Sequence, residues 1–512
     1  MHTPKARPRT RQPIYEPPKT RFIQKDQRVN QSPDQPNPMT DRPASPRALR
    51  ITIVILLLTA VLLWIFPLVN PHYLIRSASA EQLYHTPAID RFASQLPTPD
   101  YSDYSSATTP GYHTVLAIPT KLGASNPALR IIASIYTFFI VALLAIPLAR
   151  THRALAIPMI LPLLASNYFI FSGAWLLPDN SGWLGVLIIF LLALKPNPTL
   201  KSHILAGLTL LILIYFRQVH IWAAAPIWLA AWIGSTDQTP HAPTVRSFFS
   251  NLPNRFSRAL IALLCTLPAF LLLAYFVKLW GGLVTPAFKD EHHGPNPATP
   301  AFILLQIAVL SIFFLPILLP QLKQLLKDAK PTLLISTTLG TILAIVPQSA
   351  YNEDAGRYSG WWNAVKKFPD FMDRSPVYIA GAIVGSIMLV TWGSLLNLRD
   401  RWIFAGTLLA FTLAQTANLE SWQRYHEPML LFMLMLIFAR SNKIQLTPKR
   451  AALGSVAASI MLAVITASLL KNQVSRDITD PRVLRLDQRL DNPTPEVPQN
   501  QRTSPDSSRT TP

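Results

Sequence analysis

Arg217 stands in a segment whose residue types suit phosphate binding, Tyr215-Phe-Arg-Gln-Val-His-Ile-Trp222. It directly follows a hydrophobic run, and His220 comes three residues later, on the same face if the helix continues. A guanidinium binds a phosphate through two parallel hydrogen bonds. The plainer interpretation is an arginine that snorkels at the end of a membrane helix. The segment therefore predicts either an anion site or a helix anchor.

Two further arginines, Arg357 and Arg424, stand beside aromatic residues in the segments Arg-Tyr-Ser-Gly-Trp-Trp and Arg-Tyr-His-Glu-Pro. Tryptophan stacks on the apolar face of a sugar, and carboxylates accept hydrogen bonds from its hydroxyl groups. The aromatic belt of a membrane protein explains such rings without a catalytic role. Together with Arg217, these segments indicate a site for a lipid phosphate and a sugar.

Glycosyl transfer from a lipid phosphate also needs a carboxylate base for the attacking hydroxyl and cations that stabilise the departing phosphate. Glu81 is the best candidate base, with Asp103 and Asp354 as competitors. Metal binding has less support, because Asp290-Glu-His-His293 lacks the His-Glu-x-x-His spacing that places two imidazoles on one helix face. No cofactor is predicted, and a divalent metal is left open.

The elements that must position these residues are those of an integral membrane protein. Half of the 512 residues are hydrophobic and 14% are charged, whereas soluble proteins carry about 25% charged residues. We predict an all-α, polytopic fold of about 11–13 transmembrane helices, since apolar runs near the ~20 residues that cross a bilayer recur along the chain. The candidate spans are 49–69, 129–149, 154–177, 183–195, 202–217, 219–234, 258–283, 300–320, 331–349, 377–397, 402–418, 427–440 and 451–470.

Basic residues define the predicted topology. Segments 1–48, a basic cytoplasmic tail, and 471–512 are polar and predicted to be disordered, so the transmembrane domain is 49–470. If the N-terminal tail is cytoplasmic, alternate loops are cytoplasmic too, and each of them is basic. The long first outer loop, at about 70–128, and the later outer loops carry the carboxylates, imidazoles and aromatics. The net charge of +20 therefore indicates contact with membrane lipids rather than nucleic acid.

Six short motifs, in one order over residues 50–440, resemble those of the GT-C membrane glycosyltransferases. They are most similar to the dolichyl-phosphate-glucose alpha-1,2-glucosyltransferases that add the terminal glucose to the lipid-linked oligosaccharide. The similar segments are Glu81-Gln-Leu-Tyr-His-Thr-Pro87, Asp103 before Ala107-Thr-Thr-Pro-Gly-Tyr112, Phe216-Arg-Gln-Val-His-Ile-Trp222, Trp280-Gly-Gly-Leu-Val284 with Lys289 and His292, Asp354-Ala-Gly-Arg-Tyr358, and Arg424-Tyr-His-Glu-Pro428.

The resemblance implies that Glu81 is the base and that Arg217, Gln218 and Arg424 hold the lipid phosphate. The donor would be a polyprenyl-phosphate hexose, glucose-like, and the acceptor a lipid-linked or extracytoplasmic glycan. Direct displacement would invert the anomeric centre. The other binding residues that the resemblance implies are His85, His220, Lys289, His292, Arg357, Tyr358 and Tyr425.

Three departures from the family pattern leave the sugar and the acceptor open. Gln82 replaces a second acid, one proline of the Thr-Thr-Pro-Pro motif is missing, and His220 replaces an asparagine. A flippase or transporter of lipid-linked saccharides, and an oligosaccharide ligase or polymerase, are the alternative functions. The predicted location is a bacterial inner membrane with the active face toward the periplasm, and the alternative is the endoplasmic reticulum with a lumenal active face.

Overall fold

The computed structural model describes residues 45–69, 80–235, 252–291, 294–349, 360–361, 365–419, 421–441, 443–444 and 447–474. Within these ranges the chain is all-helical apart from one isolated bridge between Phe371 and Arg374. This confirms the all-α part of the predicted fold class. Both predicted tails lie outside the described residues except at their inner ends.

Seventeen α-helices are described. In chain order they are α1 Pro46–Val69, α2 Thr86–Gln95, α3 Gly111–Lys121, α4 Asn126–His152, α5 Ala156–Ala165, α6 Asn167–Ala174, α7 Asp179–Ala193, α8 Leu200–Phe216, α9 Ala224–Ile233, α10 Leu252–Trp280, α11 Thr299–Phe313, α12 Leu315–Asp328, α13 Lys330–Ile345, α14 Pro376–Ser394, α15 Leu398–Thr416, α16 Gln423–Arg440 and α17 Pro448–Val474. Short π- or 3-10-helical turns are Glu81–His85, Arg153–Leu155, Gln218–Ala223 and Pro286–Glu291.

Four helical stretches of the described residues are long and apolar enough to cross a membrane, namely Pro46–Ile65, Asn126–Ala165, Leu252–Trp280 and Pro376–Ser394. The number rises to six if each of two bent helix pairs is one span. Other predicted spans coincide with shorter helices such as α8, whose length of about 26 Å falls short of a hydrocarbon core of about 30 Å. These stretches indicate a membrane protein, while the larger number of about 11–13 spans stays a prediction.

The described helices make two sharp changes of direction, one within a predicted span and one between two predicted spans. The span predicted at 300–320 ends at Phe314, where α11 and α12 are bent by 109°. Pro316 lies in the first turn of α12, where its missing amide hydrogen removes no helical hydrogen bond, so it can begin a new helix. A second bend, of 115°, separates α6 from α7 and lies between the spans predicted at 154–177 and 183–195. Hydropathy averages over the break at Phe314, so residues 300–320 have the pattern of one continuous span.

Helix C-termini gather at one pole of the bundle, where basic side chains bind their carbonyl oxygens. Arg399 donates from Nε to the carbonyl of Gly234 at 2.8 Å and from a terminal nitrogen to that of Ala193 at 3.0 Å. Arg255 donates to the carbonyl of Trp232 at 2.7 Å. These carbonyls lack intrahelical partners and carry partial negative charge, so cations stabilise them. We call this end of the bundle the basic pole, and it also includes Arg401, Lys443 and the Asp400–Arg440 ion pair.

The opposite pole, which we call the loop pole, holds the first long loop in a small core of its own. Phe92 and Tyr104 of that loop pack against Phe276 and Trp280 at the end of α10. The indole nitrogen of Trp280 donates to the carbonyl of Tyr101 at 2.8 Å. The loop is therefore fixed to the helices that it covers.

Candidate functional site

The carboxylate of Glu81 lies at the loop pole in a buried ion pair with Arg130, and only 1% of Glu81 is exposed. Arg130 donates from Nε to both carboxylate oxygens at 3.0 and 3.1 Å, and from a terminal nitrogen at 2.6 Å. The backbone N–H of Leu176 adds a bond of 2.8 Å. Both oxygens thus already accept hydrogen bonds, and they fasten the loop to α4 and to the bend between α6 and α7. This geometry favours a structural role over the predicted role as base.

His85, four residues later, forms a buried pair with His113 of α3. His85 Nδ1 lies 2.9 Å from His113 Nε2, and the rings stack with their centroids 5.2 Å apart. Burial lowers the pKa of His85 to about 3 and holds the pKa of His113 well below its usual value. Both rings are therefore neutral near pH 7, and one proton lies between the facing nitrogens.

Asp179, Arg217, Arg424 and His85 form a group that we call the arginine cluster. Arg217 binds Asp179 at 2.6 Å, and each of these two residues is 8% exposed. Arg424 and His85 interact electrostatically with Asp179. Two guanidinium groups and one carboxylate, with a neutral imidazole, leave an excess of one positive charge. The cluster therefore suits an anion.

Helix ends position the central ion pair of the cluster. Arg217 follows the last residue of α8, where its backbone becomes extended (φ −154°) while its N–H still bonds the carbonyl of Leu213. Asp179 begins α7 immediately after the bend that follows α6. The C-terminal end of one helix and the N-terminal end of another thus meet, and each contributes one charge.

Several polar atoms beside this ion pair have no hydrogen-bond partner among the described residues, namely Nε of Arg217, Nε of Arg424 and both ring nitrogens of His220. Buried polar groups are normally hydrogen-bonded, so these atoms can contact a ligand. Gly182 permits the close packing here. A Cβ atom at Gly182 would lie 2.8 Å from His220 Nε2 and 2.9 Å from Arg217 Cδ.

Gln218 connects the neighbouring loops to the arginine cluster. Its Oε1 accepts from the N–H of Thr109 at 2.9 Å, and its Nε2 donates to the carbonyls of Ala107 and Leu283 at 2.7 and 2.8 Å. Gln218 thus has a structural function next to Arg217, and its amide is fully used by protein groups.

Arg424 lies against the rings that accompany it in sequence. Its guanidinium carbon is 4.4 Å from the ring centroid of Trp422 and 4.8 Å from that of Tyr425. It also donates to the hydroxyl of Tyr425 at 2.8 Å. These contacts hold the guanidinium in place by cation–π attraction, so the predicted association of arginine with aromatic rings is present here.

Among the other predicted residues, Asp103 is half-buried and accepts one described hydrogen bond, from the N–H of Ala287 at 3.4 Å. Lys289 lies in the short helix Pro286–Glu291. The remaining predicted site residues lie outside the described residues: His292, Asp354, Arg357 and Tyr358.

Sequence reasoning missed three residues that pair with predicted ones: Arg130, His113 and Asp179. Asp179 and Arg130 did carry a signal, because each is a charge at the edge of an apolar stretch, and such residues are rare in membrane helices unless paired. His113 carried no comparable signal. Its partner is 28 positions away, and nothing in its local sequence indicates the contact.

Within the described ranges, no group of three or more His, Cys, Asp and Glu side chains could hold a metal ion. Comparisons with protein-family models, with curated proteins and with solved structures find no match to this chain. The candidate site therefore rests on its own geometry.

Proposed function

We propose that this protein is a GT-C-type membrane glycosyltransferase that transfers a hexose from a polyprenyl phosphate to a lipid-linked or extracytoplasmic glycan. The observation that carries this proposal is the arginine cluster. Arg217 and Arg424 meet around a single carboxylate, and each retains an Nε without a partner among the described residues. Excess positive charge next to unused donors is the arrangement that a lipid phosphate requires.

In the proposed reaction, an acceptor hydroxyl oxygen attacks the anomeric carbon of the donor. A carboxylate takes the hydroxyl proton, a new glycosidic bond forms, and the bond between the anomeric carbon and the phosphate oxygen breaks. The polyprenyl phosphate leaves with the bonding electrons and one more negative charge. Arg217 and Arg424 stabilise that charge as it develops, which is the step at which preorganised cations accelerate a reaction. Attack opposite the leaving group inverts the anomeric centre.

Asp103 is the carboxylate that best suits the role of base. Glu81 already accepts four hydrogen bonds, and Asp179 is paired with Arg217, whereas Asp103 has one long described bond. Asp103 also belongs to the loop that Gln218 binds through Ala107 and Thr109, beside the cluster. A base must reach the attacking hydroxyl directly or through one water, and a half-buried loop carboxylate meets that need.

The test uses the full chain in lipid nanodiscs with polyprenyl phosphates that carry radiolabelled hexoses and a lipid-linked glycan acceptor. We expect Arg217→Lys and Arg424→Lys to lower the transfer rate by about 10²-fold or more, the scale for loss of one preorganised donor. The lysines keep the charge but lose the fork geometry. Asp103→Asn is expected to lower the rate similarly without changing donor binding.

Arg91→Lys is the matched control, because Arg91 pairs with Asp100 on the surface with its side chain 42% exposed. It should transfer at the wild-type rate. Equal transfer by the cluster variants and the control would contradict the proposal. Movement of intact lipid-linked sugar across the bilayer without cleavage would instead identify a flippase.

A further inference from the structure

A small cavity lies between α11, α16 and α17, and we call it the notch. Gln306 and Glu427 contribute its side-chain oxygen atoms, and the other lining residues include Trp361, Leu310, Phe313 and Met461. Its volume of about 10 Å³ accommodates roughly one water-sized group. Phe313 and Met461 are half-buried, so the notch reaches the surface between α11 and α17.

The amide of Gln306, which is 2% exposed, has its orientation fixed by two acceptors. Its Nε2 lies 3.1 Å from His426 Nδ1 and 3.5 Å from the carbonyl of Phe302. An amide nitrogen can donate to both, whereas an amide oxygen would meet the carbonyl without a proton. The Oε1 atom is therefore the free end, and it has no partner among the described residues.

Glu427, which is 3% exposed, is the second polar residue of the notch. One of its oxygens accepts from the Ser166 hydroxyl at 2.5 Å, and the other accepts from the Gln423 amide. Gln423 is in turn held by the N–H of Trp361 at 2.8 Å. Each carboxylate oxygen can accept a further bond. The two polar residues of the notch thus offer acceptors.

The geometry points to a second lipid site, in which the notch binds the terminal hydroxyl or ammonium group of an apolar chain. Glu427 of the notch lies on α16, one turn after Arg424 of the arginine cluster. An acceptor-lined cavity selects a hydrogen-bond donor, and its volume fits a single such group. The apolar residues along α11 and α17 then accommodate the hydrocarbon that follows. An unsatisfied buried acceptor is unfavourable, so a ligand that donates to Gln306 gains affinity over one that cannot.

The test is photo-crosslinking of the full chain in nanodiscs with a geranylgeraniol analogue that carries a diazirine near its hydroxyl end. We expect mass spectrometry to find the label in 309–313 and 458–461. Geranylgeraniol should compete with the probe at least tenfold better than its methyl ether, which has the same chain but no donor. Geranylgeranylamine separates the two donor types, and stronger competition by the amine or by the alcohol each supports the site.

Gln306→Leu removes the acceptor at similar volume and should lower labelling at least tenfold. Gln321→Leu on the exposed part of α12 is the matched control. Ala458→Leu is a second variant, because Ala458 lines the notch from α17 and a larger side chain fills it while Gln306 and Glu427 are retained. It should also abolish labelling.

Three results would overturn the inference. These are labelling spread over lipid-facing helices such as α10, equal competition by the alcohol and the ether, and undiminished labelling of both notch variants. None of them bears on glycosyl transfer, since the readout is the binding of an alcohol that carries neither phosphate nor sugar.

Discussion

Replacement of Glu81 by Gln separates a structural role from a catalytic one. The substitution keeps the size and shape of the side chain but removes its charge. Arg130 then loses its ion pair with Glu81, while its side chain stays only 17% exposed. A catalytic base that is replaced in this way loses activity with an unchanged fold, whereas a structural carboxylate loses stability.

The expected cost follows from the contacts. Removal of one partner of a buried ion pair costs about 3–5 kcal/mol, because the other charge remains buried without compensation. Partial exposure of Arg130 places the estimate at the lower end, at about 3 kcal/mol. Arg130→Met should cost at least as much, because Glu81 is the more deeply buried partner. The double variant Glu81→Gln/Arg130→Met should be less destabilised than the sum by about 2–3 kcal/mol.

The assay is thermal unfolding of the four proteins in nanodiscs at one scan rate and protein concentration, followed by tryptophan fluorescence. Asp100→Asn breaks the exposed pair with Arg91, at 3.3 Å, and serves as the control with an expected change of about 0–1 kcal/mol. A wild-type unfolding midpoint for Glu81→Gln, combined with complete loss of transfer, would refute the structural role and restore Glu81 as the base. Additive effects in the double variant would refute the coupling.

Three other variants test the remaining parts of the structure. Stability should fall as the pH decreases from about 6.5 toward about 3, because His85 binds a proton in the unfolded chain but not when it is buried in the folded protein. Unfolding midpoints measured across this range should fall less steeply in His85→Gln than in the wild type. Gly182→Ala should lower the transfer rate at least tenfold, because the added Cβ would press against Arg217 and displace it. Gly185→Ala is the control, since its Cβ would meet only a leucine side chain, and it should transfer normally. Wild-type kinetics in both variants would contradict the cluster geometry. Arg399→Leu should destabilise the protein by about 3 kcal/mol. Lys201→Leu, at an exposed position, is the control and should change the unfolding free energy by less than about 0.5 kcal/mol. Equal unfolding midpoints for the two variants would show that the carbonyl contacts of the basic pole contribute little.

The sequence predicted the helices well because apolar runs leave a membrane chain few other structures. Each predicted span coincides with helix in the described ranges, since backbone groups in lipid must be satisfied internally. The bends were not predictable by the same means. The residues around Phe314 are as apolar as a straight span, so hydropathy does not show that Pro316 begins a new helix there.

The candidate site was predicted in part. Arg217 and Arg424 were identified from their neighbours in sequence, and Arg424 does lie against Trp422 and Tyr425. Their relation to Asp179 was not visible, because the ion pair joins two helices across a bend. Glu81 was identified as an unusual carboxylate for a sound reason, a charge beside an apolar span. Its partner Arg130, 49 positions away, changes the role that the geometry favours.

The bend between α6 and α7 is the feature on which the loop pole depends. Glu81 accepts a hydrogen bond from the N–H of Leu176 within the bend, and Asp179, which pairs with Arg217, follows directly after it. One short segment thus contacts both buried ion pairs, from the first loop on one side and from the end of α8 on the other. A change that straightens the bend would separate Asp179 from Arg217 and release Glu81 together. The two ion pairs are therefore expected to be energetically coupled even though they share no side chain, since mutations that act through a common backbone shift are not additive.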